Sequence, residues 1–446
     1  MNFLDKILHK AKLSPNRLKV LVNVYWAVLG KIVNIISGLL VGILVARYLG
    51  PDKFGLMNYV ISYVTLFSVL AAFGLNNIEI RELSKHNAIK ETLLGTAFTI
   101  RLVFAVSAIL LILVTLLIFE SDAFTFTMVM VYSLSLILSS LNVIRNYFTS
   151  IVLNEYVVKT EISRTVIGAG IKVVLLLNHC SLAWFIAAST FDFVLIGGGY
   201  LYSYQKKGGP VRAWTFDFTV ARMLIIESFP LLLSGTAVII YQKIDAVMIR
   251  NMMDNASVGQ FSVASKITEL AIFIPMVIAQ TVTPLLVKAH QEDLARYHAK
   301  RQQFMDIMVW SAIAMATAMS AIAAPAIRIL YGEKYLGAIP VLQIMAWKAV
   351  FMALFSASGQ MILIENLQRF VAVRNVIGCI VSVGLNYVLI PVWGIVGSAV
   401  ATVLTMAFSG YISHFFIKPY RYLIPLQTKA LLFGWKRLLH SSLLRK

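Results

Sequence analysis

Residues 92–118, TLLGTAFTIRLVFAVSAILLILVTLLI, form an uninterrupted apolar run in which Arg101 is the single charged residue. A helix needs about 20 mostly apolar residues to cross the hydrocarbon core of a bilayer. This run therefore predicts a transmembrane helix. A β-barrel strand is disfavoured, because the hydrophobic residues do not alternate with polar ones.

Comparable runs continue along the chain, and we predict twelve spans with soft edges. They are 22–46, 56–75, 92–118, 123–143, 160–177, 182–204, 223–249, 258–286, 304–327, 339–362, 370–391 and 394–417. The loops between these spans are too short to hold a separate soluble domain. The predicted fold class is all-α, a polytopic membrane protein whose function resides in the helix bundle.

The composition agrees with this class. Of the 446 residues, 59% are hydrophobic and only 13% are charged, whereas soluble domains are about 25% charged. An ordinary soluble enzyme is therefore excluded. The formal net charge of +19 does not indicate nucleic acid, because the bases lie in short runs between apolar spans. Bases placed there set topology and face anionic lipid.

Lys and Arg are divided unequally between alternate loops. With the N-terminus in the cytoplasm, the opposite side of the membrane holds few bases. These are Arg47, Lys53, Arg250, Arg328 and Lys334. The positive-inside rule therefore predicts that both termini are cytoplasmic.

The two halves of the chain repeat a pattern. The run Arg164-Thr165-Val166-Ile167-Gly168 begins the fifth span, and Arg374-Asn375-Val376-Ile377-Gly378 begins the eleventh. Arg47 and Arg250 end the first and seventh spans, where a base either contacts substrate or caps the helix dipole. Chance similarity among apolar helices is the alternative. The equivalent positions favour two pseudo-symmetric six-helix lobes around a central cavity.

This repeat predicts the domain organisation. Two six-helix lobes are joined by a cytoplasmic linker and flanked by basic amphipathic segments, which either lie on the anionic leaflet or serve as plain tails that set topology. In chain order the segments are 1–20, the N-terminal lobe 21–205, the linker 206–222, the C-terminal lobe 223–417 and the tail 418–446.

Charged residues inside the spans are the main candidates for a site, since each costs roughly 2.5–3.5 kcal/mol at a helix centre. Inside its spans, the N-terminal lobe is counted with Lys31, Arg101 and Lys172 against Asp192 alone. One carboxylate cannot neutralise three bases, so we predict a cationic chamber that binds an anion. A diphosphate fits, because Lys and Arg supply charge and several donors to its oxygens.

The C-terminal lobe leaves two interpretations open. Pairing of Lys266 with Glu269 or Asp245 would explain its charges without any ligand. Alternatively, its bases also line the cavity. The candidate cavity bases are Lys243, Lys266 and Lys348, and the candidates for ion or proton coupling are Asp192, Asp245 and Glu269.

Several motifs resemble one family. The run Ala46-Arg47-Tyr48-Leu49-Gly50-Pro51-Asp52-Lys53-Phe54-Gly55 is similar to the first-loop signature of polysaccharide repeat-unit flippases. Glu227-Ser228-Phe229-Pro230 and the later Lys243-Ile244-Asp245 resemble the seventh helix of that family, and Leu330-Tyr331-Gly332 continues the match. The resemblance covers most of residues 20–415.

The resemblance implies the multidrug/oligosaccharidyl-lipid/polysaccharide exporter superfamily, and within it the O-antigen and capsule flippase branch. Such proteins move undecaprenyl-diphosphate-linked oligosaccharide repeat units across the bacterial inner membrane. Expected partners are this substrate, membrane lipids, a polysaccharide polymerase and a chain-length regulator, with no nucleic acid and no cofactor. The chain departs from fourteen-helix members because it ends after twelve predicted spans.

Two alternatives remain open. A cation-coupled multidrug exporter of the same superfamily would need carboxylates in the N-terminal lobe, which by this count is net basic. A membrane glycosyltransferase or ligase would need acids or a catalytic base at the membrane surface. No Ser/His/Asp pattern, clustered metal ligands or Walker-type phosphate loop occurs in the sequence, so we predict no catalytic and no metal-binding residues.

Overall fold

The computed structural model describes the backbone of residues 15–85 and 89–440 and most of their side chains. Within these ranges the chain is helical and forms no strand. The helices are α1 Pro15–Ala72, α2 Leu75–Lys85, α3 Lys90–Phe119, α4 Ala123–Leu138, α5 Asn142–Ser150, α6 Asn154–Leu177, α7 Leu182–Lys207, α8 Phe218–Met252, α9 Asn255–Glu292, α10 Leu294–Tyr331, α11 Ala338–Met345, α12 Lys348–Ile364, α13 Val371–Ala407, α14 Ser413–Phe416 and α15 Leu423–His440.

Acidic side chains begin several of these helices. Asp122 accepts hydrogen bonds from the first backbone amides of α4, and Asp254 accepts one from the Ser257 amide at 2.7 Å. Asp293 caps α10 in the same way. A carboxylate at this position satisfies amides that have no helical partner and complements the positive end of the helix dipole.

Membrane spans are present as predicted. Among the described residues, eight helical segments are long and apolar enough to cross a bilayer. Two of them, Val33–Lys85 and Gln368–Phe416, each contain two predicted spans. Helices α6 and α9 coincide with the predicted fifth and eighth spans. The prediction of an all-α polytopic membrane protein is confirmed.

Glycines separate the two spans inside the longest helices. Gly50 has φ 72° within α1, and Gly394 has φ 58° within α13. Left-handed backbone of this kind favours glycine, which has no Cβ. Both kinks therefore redirect the chain between consecutive spans, and Gly50 with Pro51 forms the surface turn of the first-loop motif.

The chain divides into two compact units. The first contains residues 1–45 and 67–232, and the second contains residues 46–66 and 233–446. Within the second unit, Gly259 lies directly against the Pro51 backbone, and the Tyr335 hydroxyl donates to the Ala46 carbonyl at 2.8 Å. The predicted lobe boundaries at 21–205 and 223–417 stay a prediction.

The repeated motif makes a similar contact in each unit. In the first unit the Thr165 hydroxyl donates to the Asn34 side chain. In the second unit Asn375, at the equivalent place in its motif, donates to the Ser234 hydroxyl at 2.9 Å. Both contacts join the motif-bearing helix to the opening span of its half. They support pseudo-symmetric halves.

Basic amphipathic segments are predicted at both ends of the chain. The predicted amphipathic face of residues 1–14 lies outside the described residues. At the other end, α15 has a buried face that the sequence did not indicate. The Trp310 indole donates to the Ala430 carbonyl at 2.9 Å, and Arg437 pairs with Asp306 at 2.6 Å. Trp435 and Leu439 remain exposed, and their contact with the leaflet stays a prediction.

Candidate functional site: a basic cavity in the first unit

Helices α6 and α7 pack closely because two glycines remove side chains from the contact. Gly168 of α6 lies against the Asp192 carboxylate of α7, and Gly199 of α7 lies against Thr160 of α6. A methyl group at either glycine would collide with the facing side chain. These contacts hold Arg164, which lies between Thr160 and Gly168 on α6, beside α7.

A cavity of about 380 Å³ opens beside this helix pair inside the first unit. Its polar lining comes from four elements and mixes charges with amides. The polar lining residues are Asn34 of α1, Asn142 and Arg145 of α5, Glu161 and Arg164 of α6, and Asp192 and Tyr200 of α7. This composition provides both hydrogen-bond donors and cations to a polar ligand.

Most charges at the cavity are paired. Arg145 lies 3.3 Å from Glu161, which also accepts a hydrogen bond from the Tyr200 hydroxyl. Lys172 lies 2.6 Å from Asp192. The two acids therefore neutralise Arg145 and Lys172. Asp192 thus pairs with one of the three predicted bases, and the anion-binding role of Lys172 stays a prediction.

Arg164 is the remaining base of this cavity, and it has no acid partner among the described residues. Its Nη2 reaches only the Asn34 amide oxygen, at 3.5 Å, and its buried Nε has no hydrogen-bond partner. Among the described residues it forms no ion pair within 4.0 Å. A half-buried guanidinium with unused donors is suited to an anion, particularly one with several oxygens.

Arg101 lies in a buried network of its own. The guanidinium binds Glu79 at 2.7 and 3.0 Å and Asn76 at 2.7 Å, and Asn146 donates to Glu79 at 2.5 Å. The predicted surplus charge on Arg101 is therefore wrong. The sequence count missed Glu79 because it follows the second span, whereas α2 turns this residue back against α3.

Lys31 lies in α1, but its side chain falls outside the described part of the chain. Its predicted role as a cavity base stays a prediction.

In the second unit, Asp245 is buried and held by neutral groups. Asn386 donates to one carboxylate oxygen at 2.8 Å, and Thr402 donates to the other at 3.0 Å. Ser398 in turn donates to Asn386 at 2.7 Å. Lys348 and Lys243 lie close enough to interact electrostatically with this carboxylate.

The other predicted site residues have separate surroundings. Lys266 lies over the Phe54 ring at 4.6 Å, and Arg250 lies over the Tyr59 ring at 4.5 Å. Glu269 and Arg47 are exposed. Cation–π contacts of this length stabilise a base beside an aromatic face. They do not assign either base to a ligand, so the roles of these four residues stay predictions.

Arg374, the counterpart of Arg164 in the repeat, was not predicted as a site residue. Its guanidinium is 2% exposed and lies over the Phe355 ring at 4.0 Å. Its Nε and Nη1 have no hydrogen-bond partner. It lies in the second unit and is closed off from solvent.

Comparison with known proteins agrees with the resemblance seen in the motifs. The family model described as polysaccharide biosynthesis protein matches residues 20–290. The chain belongs to this family. No curated protein sequence matches the chain.

Solved structures share the fold of this family member. Lipid II flippase MurJ, in an inward closed conformation, superposes with a TM-score of 0.69 at 14% identity and covers 93% of this chain and 92% of its own. An inward-facing multidrug resistance MATE family transporter of the MOP superfamily has a TM-score of 0.67 at 15% identity, covering 89% and 96%. At these identities the likeness establishes the fold alone.

Within this family fold, sequence reasoning missed the residue that carries the unpaired charge. Arg164 begins the repeated motif near the start of the predicted fifth span and was not among the predicted site residues. Its position at the head of the internal repeat was the available signal. The structure places it at the cavity, one helical turn beyond Glu161.

Proposed function

We propose that the protein is a flippase that moves undecaprenyl-diphosphate-linked oligosaccharide repeat units across the inner membrane for O-antigen, capsule or exopolysaccharide synthesis. Membership of the polysaccharide biosynthesis family and the transporter-like fold support a membrane transport role. Both termini lie in the cytoplasm in this proposal. A polysaccharide polymerase and a chain-length regulator are its proposed partners.

The observation that carries the proposal is Arg164. It presents unused donors to a polar cavity in which the acids already have partners. A diphosphate supplies negative charge and several acceptor oxygens, which a guanidinium binds better than a single ammonium group does. The Asn34 and Asn142 amides can donate to the same anion or to sugar hydroxyls. Arg164 therefore binds the diphosphate in this proposal, with Arg145 beside it.

The remaining predicted bases take different parts. Arg101 maintains the α2–α3–α5 contact through Glu79, and Lys172 holds Asp192 in place. Lys31, Lys243, Lys266 and Lys348 remain proposed cavity bases. We assign Arg101 to fold stability because a buried arginine paired with its acid has little charge to offer a ligand.

Coupling to an ion or proton is proposed for Asp245, with Asp192 and Glu269 as further candidates. Asp245 is buried among an amide and a hydroxyl, so its charge depends strongly on a bound cation or proton. Asp245→Asn preserves the side-chain shape. It should abolish the response of transport to an ion gradient, and a normal response would remove Asp245 from this role.

The function is tested in cells that lack the gene. Loss of the protein should leave lipid-linked repeat units in the inner leaflet and remove the surface polymer. The wild-type gene should restore both, whereas Arg164→Ala should not, despite a normal amount of protein in the membrane. Surface polymer in the deletion strain equal to that of the parent strain would reject the flippase proposal.

A cation-coupled multidrug exporter is the second candidate. It is favoured by Asp192, whose buried Oδ1 has no hydrogen-bond partner in the same cavity. An unsatisfied carboxylate oxygen can bind an organic cation. Expression in a drug-sensitive strain decides between the two. Raised resistance that is lost in Asp192→Asn supports the exporter, and unchanged sensitivity rejects it.

A further inference from the structure

A second cavity lies on the other side of the α6–α7 pair. It has a volume of about 430 Å³, and its lining comes from these two helices. Its bases are Lys159, Arg164 and Lys206, and no acid is among the lining residues that the structure describes. Ser163 and Ser203 add hydroxyl donors. We call this cavity the outer groove, and the one described above the inner cavity.

Arg164 lines both cavities. It lies on α6 between Thr160, which packs on Gly199, and Gly168, which packs on Asp192. The helices are therefore in close contact on either side of Arg164 along the sequence, and its long side chain occupies the seam between them. One guanidinium thus borders the outer groove and the inner cavity.

Apolar surface continues from the outer groove along both helices. Val166 and Val174 of α6 and Val194 of α7 are 59%, 55% and 43% exposed. Exposed side chains of this type in a spanning helix face lipid. Tyr202, a lining residue, is 66% exposed near the basic end of α7, where an amphipathic ring suits the headgroup region. The predicted topology places this end at the cytoplasmic leaflet.

From this arrangement we propose that the outer groove takes up the diphosphate of a polyprenyl-diphosphate lipid from the cytoplasmic leaflet and passes it along Arg164 to the inner cavity. The inference rests on the proposed flippase function and names the route by which its substrate arrives. The apolar surface would carry the prenyl chain while the diphosphate contacts the three bases.

Charge favours a diphosphate over an ordinary phospholipid. A phosphodiester headgroup has one phosphate, whereas the groove offers three bases and several hydroxyls. Lys159 also pairs with Glu155 at 2.5 Å. Both side chains are well exposed, and the two residues lie one helical turn apart on α6. Such a surface pair contributes little, so a diphosphate can compete with Glu155 for Lys159.

The test uses the full chain in lipid nanodiscs with a photo-crosslinking residue in place of Tyr202. Undecaprenyl diphosphate and phosphatidylglycerol are added separately at equal ratios. The charge variant is Lys159→Gln with Lys206→Gln, and each single change is also made. Lys207→Gln is the matched control, because Lys207 is exposed beside the groove but does not line it. A crosslinker at Trp184, at the far end of α7, controls for position.

We expect undecaprenyl diphosphate to label position 202 and not position 184. Labelling should fall about tenfold in the double variant, because two exposed charge contacts of about 0.7 kcal/mol each add to about 1.4 kcal/mol. The single variants should fall less, and Lys207→Gln should match the wild type. Equal labelling by phosphatidylglycerol, or unchanged labelling in the charge variants, would overturn the proposal.

The outcome is separable from that of the proposed function. If the wild-type gene restores surface polymer but position 202 takes no diphosphate label, the outer groove fails and the flippase stands. If position 202 is labelled but the gene is dispensable for surface polymer, the flippase proposal fails and the groove remains a diphosphate site.

Discussion

Arg164 and Arg374 begin the same five-residue motif, yet their surroundings differ. Arg164 is half-buried at a cavity and reaches Asn34 only at 3.5 Å. Arg374 is closed off under Phe355, with its ring contact at 4.0 Å. The backbone plan of the repeat is therefore retained while its chemistry diverges. One copy presents a cation to a ligand, and the other keeps its cation inside the protein.

The carboxylates of the two units diverge as well. Asp192 is neutralised by Lys172 at 2.6 Å, whereas Asp245 is held by an amide and a hydroxyl. A carboxylate paired with a base contributes to packing, whereas Asp245 is hydrogen-bonded to neutral groups and has Lys348 and Lys243 near it. In the proposed function, the first unit binds the anion and the second responds to a cation.

The largest effect should separate the two arginines. Arg164→Ala should reduce surface polysaccharide about 10- to 100-fold, because the contacts it loses are worth about 1.5–3 kcal/mol. Arg374→Met should stay close to wild type. Quantitative immunoblotting of the polymer, normalised to protein in the membrane, measures both. Equal losses in the two variants would contradict the proposed difference between Arg164 and Arg374.

A smaller effect should separate the carboxylates. Asp192→Asn leaves Lys172 without its acid in a partly buried place, and should cost about 1–3 kcal/mol after allowance for solvent. Asp245→Asn retains its hydrogen-bonding shape and should change stability less. Thermal unfolding in detergent compares them. A larger loss for Asp245→Asn would contradict the assigned pairing.

The glycines at the end of each motif give the next test. Gly168→Ala forces the Asp192 carboxylate aside and disturbs the pair with Lys172, whereas Gly378→Ala displaces only the Ser409 hydroxyl. We expect a cost of about 1–3 kcal/mol for the first and less for the second. Unfolding midpoints measured together show the order, and a reversed order would exclude this reading of the α6–α7 contact.

The smallest effect should be on stability at Arg374. Replacing a buried charge that has no acid partner by Met, of similar length, should leave the free energy of unfolding unchanged or raise it, by about 1 kcal/mol. Thermal unfolding again provides the measurement. Strong destabilisation would mean that Arg374 has a binding role that its Phe355 contact does not explain.

Much of the fold could be predicted because each span is a long apolar run. The twelve predicted spans lie on helical segments, although the fourth and tenth are each divided between two helices. The Arg164 and Arg374 motifs have equivalent contacts at Thr165 and Asn375. Hydrophobic length and a repeated motif are properties of consecutive residues, so sequence alone reveals them.

The site was predicted less well, because pairing joins residues far apart in the chain. Arg101 and Glu79 are separated by 22 positions, and Glu79 follows a span instead of lying within one. A count of charges inside spans therefore left Arg101 without its acid, which α2 supplies. Arg164 was overlooked for the opposite reason, since its edge position resembled a topology signal. The basic character of the site was predicted, but the residue that carries it was not.

Flipping in reconstituted proteoliposomes tests the central claim most directly. A fluorescent undecaprenyl-diphosphate-linked sugar is followed by its accessibility to a membrane-impermeant quencher. We predict that Arg164→Gln abolishes protein-dependent flipping, that Arg164→Lys retains part of it, and that Arg374→Gln transports more than Arg164→Gln. Wild-type flipping by Arg164→Gln would contradict the account.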